Sequence, residues 1–267
     1  MSSKKYKLLI SDYDGTLSGP EFAIPDKTAH AIKKWMSTDH LFSIASGRQY
    51  LMLKKDCTLL DLSTPLIVRG GAEIVDPKND NIIFQEQIPK ETVAEIFKIL
   101  KKHTDKIALE KDDTIFSSFK FAGDFPEVKR KSLDEFTITS LPKIVAKADH
   151  KKSGELEIVM DSIVKKFPEL HIVRSYTPLG SGYDITSIKA TKHLATLELI
   201  KLLGLFPEDV IGVGDGYNDF PLLEACGLKV AMENSPDELK AIADMVIPAQ
   251  REEGVAFLIE KLLKEEG

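Results

Sequence analysis

The stretch Leu8-Leu9-Ile10-Ser11-Asp12-Tyr13-Asp14-Gly15-Thr16 decides the reading of this chain. Lys7 to Ser11 is a short apolar run, as expected of a strand buried on both faces of a parallel sheet. It ends abruptly in two carboxylates and a glycine. Side chains two apart on a strand point the same way, so Asp12 and Asp14 are expected to reach one space at the strand's end. Gly15 permits a sharp turn there. Two close carboxylates repel, and a bound cation or a raised pKa on one of them relieves the repulsion. Taken alone, Asp-Tyr-Asp-Gly-Thr also fits a solvated turn, because Asp and Gly are common turn residues. The later stretches decide between the two.

Composition sets the bounds. The chain has 267 residues, 43% hydrophobic and 29% charged, enough for a sizeable core and one large or two modest domains. A formal net charge of −6 argues against a sequence-independent nucleic-acid binder, which needs a basic face. It leaves room for a small anionic substrate, because a metal and a few local cations can invert the field of a pocket. No apolar run approaches membrane-span length. The start, Met1-Ser2-Ser3-Lys4-Lys5-Tyr6-Lys7, is basic but leads into a short strand and two aspartates, unlike a signal-peptide core, so a cytoplasmic protein is expected. The two cysteines, Cys57 and Cys226, are expected to be reduced core residues.

The pattern from Lys7 to Val68 alternates strand and helix. Pro25-Asp26-Lys27-Thr28 opens a helix to about Thr38 with Ala29, Ile32, Trp35 and Met36 on one face. His40 to Ala45 is a strand ending in Ser46-Gly47-Arg48, Gln49 to Leu60 a helix, and Pro65 to Val68 a third strand running into Arg69-Gly70-Gly71-Ala72. That order implies a parallel sheet with right-handed crossovers. Then the rhythm changes. Hairpins are expected at 73–85 and 106–120, helices at 90–103, 126–136 and 153–167 with Ser153 as N-cap, and strands at 143–148, 171–176 and 183–187. Gly180-Ser181-Gly182 reads as a hinge. The parallel pattern resumes with a helix at 191–203, a strand at 209–214 ending in Asp215-Gly216-Tyr217-Asn218-Asp219, and further elements to a closing helix at 254–264. The expected fold is therefore α/β: a Rossmann-like parallel-sheet core, 1–79 and 183–267, with an α+β domain inserted at 80–182.

Four polar clusters fall just after core strands or at a helix start: Asp12/Asp14, Ser46, Lys192 and Asp215/Asn218/Asp219. In an open parallel sheet that edge is where ligands bind. Carboxylates for a hard cation, one hydroxyl, one ammonium and several glycines suit phosphoryl transfer, and an aspartate can serve as its nucleophile. Lys189 rivals Lys192, and the residues alone leave both open. Gly212-Val213-Gly214-Asp215-Gly216 lacks the third glycine of a dinucleotide loop. The six histidines show no metal-ligand spacing.

Asp-x-Asp-Gly-Thr, Ser-Gly-Arg after the second strand, a lysine opening the helix after the insert, and Gly214-Asp215-Gly216-Tyr217-Asn218-Asp219 together resemble the four motifs of the haloacid dehalogenase superfamily. The insert after the third strand resembles that of its Cof-like subfamily IIB, with a large α+β cap. The resemblance covers essentially the whole chain. It implies an HAD-like fold and an Mg²⁺-dependent phosphatase acting on a small phosphorylated metabolite, a sugar phosphate foremost, through an aspartyl-phosphate. A phosphotransferase or phosphomannomutase-like phosphomutase is the same-chemistry alternative, and a monomer or weak homodimer is expected. Carried over by position, Asp12 is the nucleophile and Asp14 the acid/base, with the Asp14 backbone carbonyl on the metal. Asp12, Asp14 and Asp215 hold Mg²⁺. Ser46, Gly47, Lys192 and Asn218 hold the phosphoryl oxygens, and Thr16 and Asp219 support them. Arg48, Arg174 and Tyr176 are candidate substrate contacts. Two departures stand out: Tyr13, where the family more often has an aliphatic residue or phenylalanine, and Gly70-Gly71-Ala72, where it often has Asn-Gly-Ala.

Overall fold

The computed structural model describes residues 6–19, 22–120, 123, 125–177 and 180–266, with Tyr176 and Thr177 described by backbone alone. In chain order the elements are β1 (Leu8–Ser11), α1 (Asp26–Ser37), β2 (Leu41–Ile44), α2 (Lys54–Leu60), β3 (Leu66–Val68), β4 (Glu73–Asp76) and β5 (Asn81–Gln85). Next come α3 (Lys90–His103), β6 (Lys106–Lys111), β7 (Thr114–Ser117), β8 (Lys129–Ser132), β9 (Lys143–Asp149), α4 (Ser153–Lys166), β10 (Leu170–Thr177) and β11 (Gly180–Ser187). Last are α5 (Lys192–Leu202), β12 (Val210–Gly214), α6 (Phe220–Glu224), β13 (Leu228–Met232), α7 (Asp237–Ile242), β14 (Met245–Ile247) and α8 (Gly254–Glu266). They form two compact units, Met1–Ile83 with Lys192–Gly267, and Phe84–Thr191. Among the described residues no helix is long and apolar enough to cross a membrane.

The first unit is an α/β layer structure on a five-stranded parallel sheet, order β14-β13-β12-β1-β2. β1 is an interior strand, pairing Ile10 with Gly212 on one side and with Ser43 on the other. All four of its residues are buried, as a strand covered on both faces requires. α1 buries Ala29, Ile32 and Trp35, and the Trp35 indole donates to the Leu41 carbonyl at 2.9 Å, so the largest core side chain is also hydrogen-bonded. Cys57 and Cys226 are buried free thiols. The helix expected at 49–60 is divided into a 3₁₀ turn, Tyr50–Met52, and α2.

β3 runs parallel to β2, as expected of a third strand, but is not one of the five strands of the large sheet. It touches the large sheet through a single parallel bridge, Ala45 to Ile67, and pairs antiparallel with β4. The cause is the turn: Arg69, Gly70 and Gly71 have φ of 52°, 72° and 106°, which reverses the chain at once. The turn is bonded back to the loop after β2, with Gly70 N–H donating to the Ser46 carbonyl and Arg69 N–H to the Arg48 carbonyl. The Arg69 guanidinium is buried, donating to Glu73 at 2.6 Å and to Gln49 at 3.1 Å.

The second unit is α+β, a six-stranded sheet of order β10-β11-β9-β6-β7-β8 packed on α3 and α4 through Ile96, Leu100, Ile144, Ala146, Leu156 and Ile163. Residues 183–187, expected in the core, belong to β11, which pairs with β10 and β9. Gly180 lies inside this sheet rather than at a hinge, and a Cβ there would sit 2.0 Å from the Ala148 carbonyl. The helix expected at 126–136 is absent. Lys129–Ser132 instead forms the exposed edge strand β8, parallel to β7, followed by a 3₁₀ turn that Ser132 and Glu135 close with a capping box. Three cations in this strand suit an edge, where charge discourages pairing with another chain. Ser153 begins α4 rather than capping it, and its hydroxyl donates to the Asp149 carbonyl at 3.1 Å.

Replacing Glu73 by Leu takes the carboxylate from a buried guanidinium. Urea denaturation should show a loss of about 3–5 kcal/mol, and the double replacement Arg69→Met/Glu73→Leu should lose less than Glu73→Leu alone.

Candidate active site

β1 and β12 run side by side, pairing Ser11 with Val213, so their carboxyl ends deliver Asp12 and Asp215 to one place. Two glycines make the approach possible. A Cβ at Gly15, whose φ is +86°, would lie 2.4 Å from Asp215 Oδ2, and one at Gly214 would lie 2.4 Å from Asp219 Cβ. α5 opens at Lys192, whose ammonium donates to Asp12 Oδ1 at 2.5 Å and to Asp219 Oδ1 at 2.7 Å. The second Asp219 oxygen accepts the backbone N–H groups of Asp215 at 3.0 Å and Gly216 at 2.9 Å. Thr16 donates to Asp215 Oδ1 at 2.7 Å, and Asn234 to Oδ2 at 3.3 Å.

This group is buried and short of positive charge. Carboxylate oxygens of Asp12, Asp215 and Asp219 lie within 4.8 Å of one another, against the one ammonium of Lys192. Burial first, then Asp219 and Asp215, push the Asp12 carboxyl well above the ordinary carboxylate range, against the pull of Lys192. Burial also pushes Asp215 up to about 6, with Asp219 and Asp14 adding and Thr16 and Lys192 opposing. Burial works against the Lys192 charge, but Asp12 and Asp219 outweigh it and hold the ammonium above its ordinary range.

A divalent cation relieves that excess, and an all-oxygen donor set suits a hard one. Asp219 has both oxygens engaged and so acts on the arrangement of Lys192 and the 215–216 backbone. Asp12, one of whose oxygens has no partner among the described residues, and Asp215 are the donors that fit a cation.

The structure places the other expected residues less uniformly. β1 ends at Ser11, so the two-residue strand period does not carry on to Asp14. The Asp14 side chain accepts Arg48 Nε at 2.8 Å and Nη2 at 2.5 Å, and it is half exposed. The clustered acids are therefore Asp12, Asp215 and Asp219, not Asp12, Asp14 and Asp215. Arg48, expected as a possible substrate contact, is committed to Asp14. Ser46 is buried beside Gly47, and its Oγ accepts the Arg48 N–H at 3.1 Å, which leaves its own hydrogen to donate. Asn218 is exposed on the 3₁₀ turn Tyr217–Asp219 and has no hydrogen bond to the acids among the described residues. Lys189 is exposed. In the second unit, Arg174 pairs with Glu157 of α4 and lies 5.7 Å from the centre of the Tyr183 ring. The side chain of Tyr176 lies outside the described residues.

Two participants were not anticipated. Asn234 follows β13, another core strand end, and that position was its available signal. Tyr13 is buried, and its hydroxyl donates to Asp56 Oδ2 of α2 at 2.5 Å. Nothing in the spacing of residues 13 and 56 announces that pair.

The charge excess makes a direct prediction. Mg²⁺ or Mn²⁺ should raise the melting temperature, by about 2.7 kcal/mol of stabilisation at about a hundredfold excess over Kd. Asp215→Asn should largely abolish that rise, as read by differential scanning fluorimetry across a cation titration.

The profile of one protein family, described as haloacid dehalogenase-like hydrolase, matches residues 9–259. A phosphoglycolate phosphatase of Methanopyrus kandleri is 28% identical over 260 residues, covering 97% of each chain. A 5-amino-6-(5-phospho-D-ribitylamino)uracil phosphatase of Bacillus subtilis is 26% identical over 253 residues, covering 95% of this chain and 94% of its own. The crystal structure of a haloacid dehalogenase-like hydrolase from Bacteroides thetaiotaomicron superposes with a TM-score of 0.83 at 22% identity, covering 97% of this chain and 100% of that one. The family match spans both arms of the parallel sheet and everything between them, and with it the chain belongs to the haloacid dehalogenase-like hydrolases and is an enzyme of that family.

Proposed function

We propose that this hydrolase is an Mg²⁺-dependent phosphatase that cleaves small phosphomonoesters, sugar phosphates foremost, through a phosphoryl group carried on Asp12. The observation that carries the reading is the Asp12 carboxylate. One oxygen is pinned by Lys192, and the other is left for a phosphorus atom or a cation. A pinned carboxylate loses little freedom when it attacks, which is how positioning lowers a barrier. Bound Mg²⁺, held by Asp12, Asp215 and the Asp14 backbone carbonyl, supplies charge neutralisation on the phosphoryl oxygens.

The chain's own residues do the rest. Lys192, with its charge held firmly on, neutralises a phosphoryl oxygen, and the Ser46 hydroxyl, Gly47 N–H and Asn218 amide donate to the others. Asp12 Oδ2 attacks phosphorus, the bond to the ester oxygen breaks, and Asp14 gives that oxygen its proton. Water then attacks the same phosphorus and gives a proton to Asp14. The Asp12–phosphorus bond breaks, phosphate leaves, and both carboxyl groups return to their starting state. Thr16 and Asp219 keep Asp215 and Lys192 in place. The inserted unit Phe84–Thr191 corresponds to the α+β cap of the family. In support of small phosphomonoesters, two of the phosphatases similar to this chain are named for such esters.

A panel of phosphate esters should show turnover that EDTA abolishes and Mg²⁺ restores. Full activity in chelator would remove the metal from the mechanism. In ¹⁸O-water the label should appear in released phosphate, whereas transfer to a second hydroxyl would leave phosphate unlabelled and favour a phosphotransferase.

Asp12→Asn should lose turnover and form no phosphoryl-enzyme. Asp14→Asn should still be phosphorylated by an aryl phosphate and should accumulate the phosphoryl-enzyme, because loss of general base assistance costs about 10²–10⁴-fold in the second step. Rapid acid quench and mass spectrometry of the Asp12 peptide read both. A phosphoryl group on Ser46 would overturn the assignment.

A further inference from the structure

We propose that Tyr13 and Asp56 are positioning residues: their buried hydrogen bond fixes an aromatic seat for Arg48, and Arg48 in turn fixes the Asp14 carboxylate for proton transfer. The proposal rests on the acid/base reading of Asp14 given above.

The chain of contacts is continuous. The Asp14 carboxylate is held by two guanidinium hydrogens in the bidentate geometry that fixes orientation as well as distance. The Arg48 guanidinium carbon lies 5.2 Å from the centre of the Tyr13 ring and 4.6 Å from that of Phe22. Two rings within cation–π range restrain the guanidinium beyond what one ion pair does. The rings are themselves tied together. The Tyr13 hydroxyl donates to Asp56 Oδ2 at 2.5 Å, with the Phe22 carbonyl a longer second acceptor at 3.2 Å. Phe22 has φ of 54°, rare for a bulky residue, and such backbone persists where its surroundings fix it.

The seat is costly, which separates it from ordinary packing. Asp56 is 7% exposed and carries a carboxylate on α2, whose residues Cys57 and Leu60 are buried with it. An apolar pair at 13 and 56 would fill the same core without desolvating a charge. Tyr13 also directly follows Asp12 and precedes Asp14, so any freedom in its ring passes to the loop that carries both carboxylates.

The test is single-turnover release of alcohol or phenol, with enzyme in excess, by rapid quench. One substrate is p-nitrophenyl phosphate, and the other is the alkyl phosphate that the unmodified enzyme turns over best. An alkoxide needs the proton from Asp14, whereas nitrophenolate leaves without it. Tyr13→Phe and Asp56→Leu should each slow alkyl release about tenfold, in line with a small misplacement of a catalytic group, and leave aryl release within about twofold. Asp56→Asn, which keeps an acceptor oxygen, should restore most of the alkyl rate. The double variant Tyr13→Phe/Asp56→Leu repacks the core. It should recover melting temperature but keep the selective defect.

A purely structural hydrogen bond predicts the reverse, both esters slowed alike or not at all, and full recovery in the double variant. Either result overturns the proposal. Asp14→Asn separates this failure from failure of the acid/base reading. If Asp14→Asn is itself unselective, the reading of Asp14 falls. If Asp14→Asn is selective and the Tyr13 and Asp56 variants are not, only the positioning proposal falls.

Discussion

One ammonium shared between two buried carboxylates organises the first unit. Lys192 reaches Asp12 and Asp219 at once, and the three residues come from β1, the start of α5 and the turn after β12. The whole second unit, Phe84–Thr191, lies between the first of these and the other two in sequence. Burying such a cluster is expensive, and the mutual attraction of two charges barely offsets the loss of water. With Asp215 added, carboxylates outnumber the ammonium by a margin that no protein group cancels within the trio and its lysine. A fold tolerates that where a ligand completes the charge balance, where the surrounding sheet is stable enough to hold it, or where a carboxyl keeps its proton. The all-buried strand β1 and its two parallel neighbours supply the second condition.

The same economy runs through the loops at the sheet's carboxyl edge. They are held by hydrogen bonds to the backbone rather than left to wander. The loop after β2 is held to the turn after β3 through Ser46 and Arg48 carbonyls, and the Asp215–Gly216 backbone is held by Asp219. Hydrogen bonds to a carboxylate count for more than neutral ones, so Asp219 fixes the backbone while it orients Lys192. The positive φ values at Gly15, Arg69, Gly70 and Gly71 mark where this tying forces the chain to reverse within one or two residues. Loops held in this way keep the carboxylates of Asp12, Asp215 and Asp219 together.

The core was legible because its signals are local. An apolar run ending in Asp-x-Asp-Gly, a lysine at a helix start and Gly-Asp-Gly-x-Asn-Asp each place a side chain relative to its own strand or helix. Parallel pairing then brings the ends together, as Ser11 opposite Val213 does. What the sequence left open depends on contacts between distant segments. Lys129–Ser132 is a strand because β7 offers an edge, not because its residues favour one. β4 folds back antiparallel to β3 because three successive residues take positive φ, one of them an arginine. Asp14 turns to Arg48 because β1 stops one residue before Asp12, so strand periodicity no longer governs it.

Tyr13 shows how a departure from the common pattern can be read once its partner is known. Between two aspartates, an aliphatic residue or phenylalanine needs only space. A tyrosine adds a hydroxyl that, buried, must find an acceptor or cost the fold a free energy of about 1–3 kcal/mol. The acceptor here is a carboxylate, which burial would by itself push towards the neutral form and which the tyrosine's hydrogen bond pulls back. Each group thus offsets part of the other's cost of burial. A mutual dependence of this kind is a two-residue feature, invisible when either position is read singly. It costs more than the simple alternative of two apolar side chains. Its place against the ring face that seats Arg48 ties that cost to the loop carrying Asp12 and Asp14, and not to the packing of α2 alone.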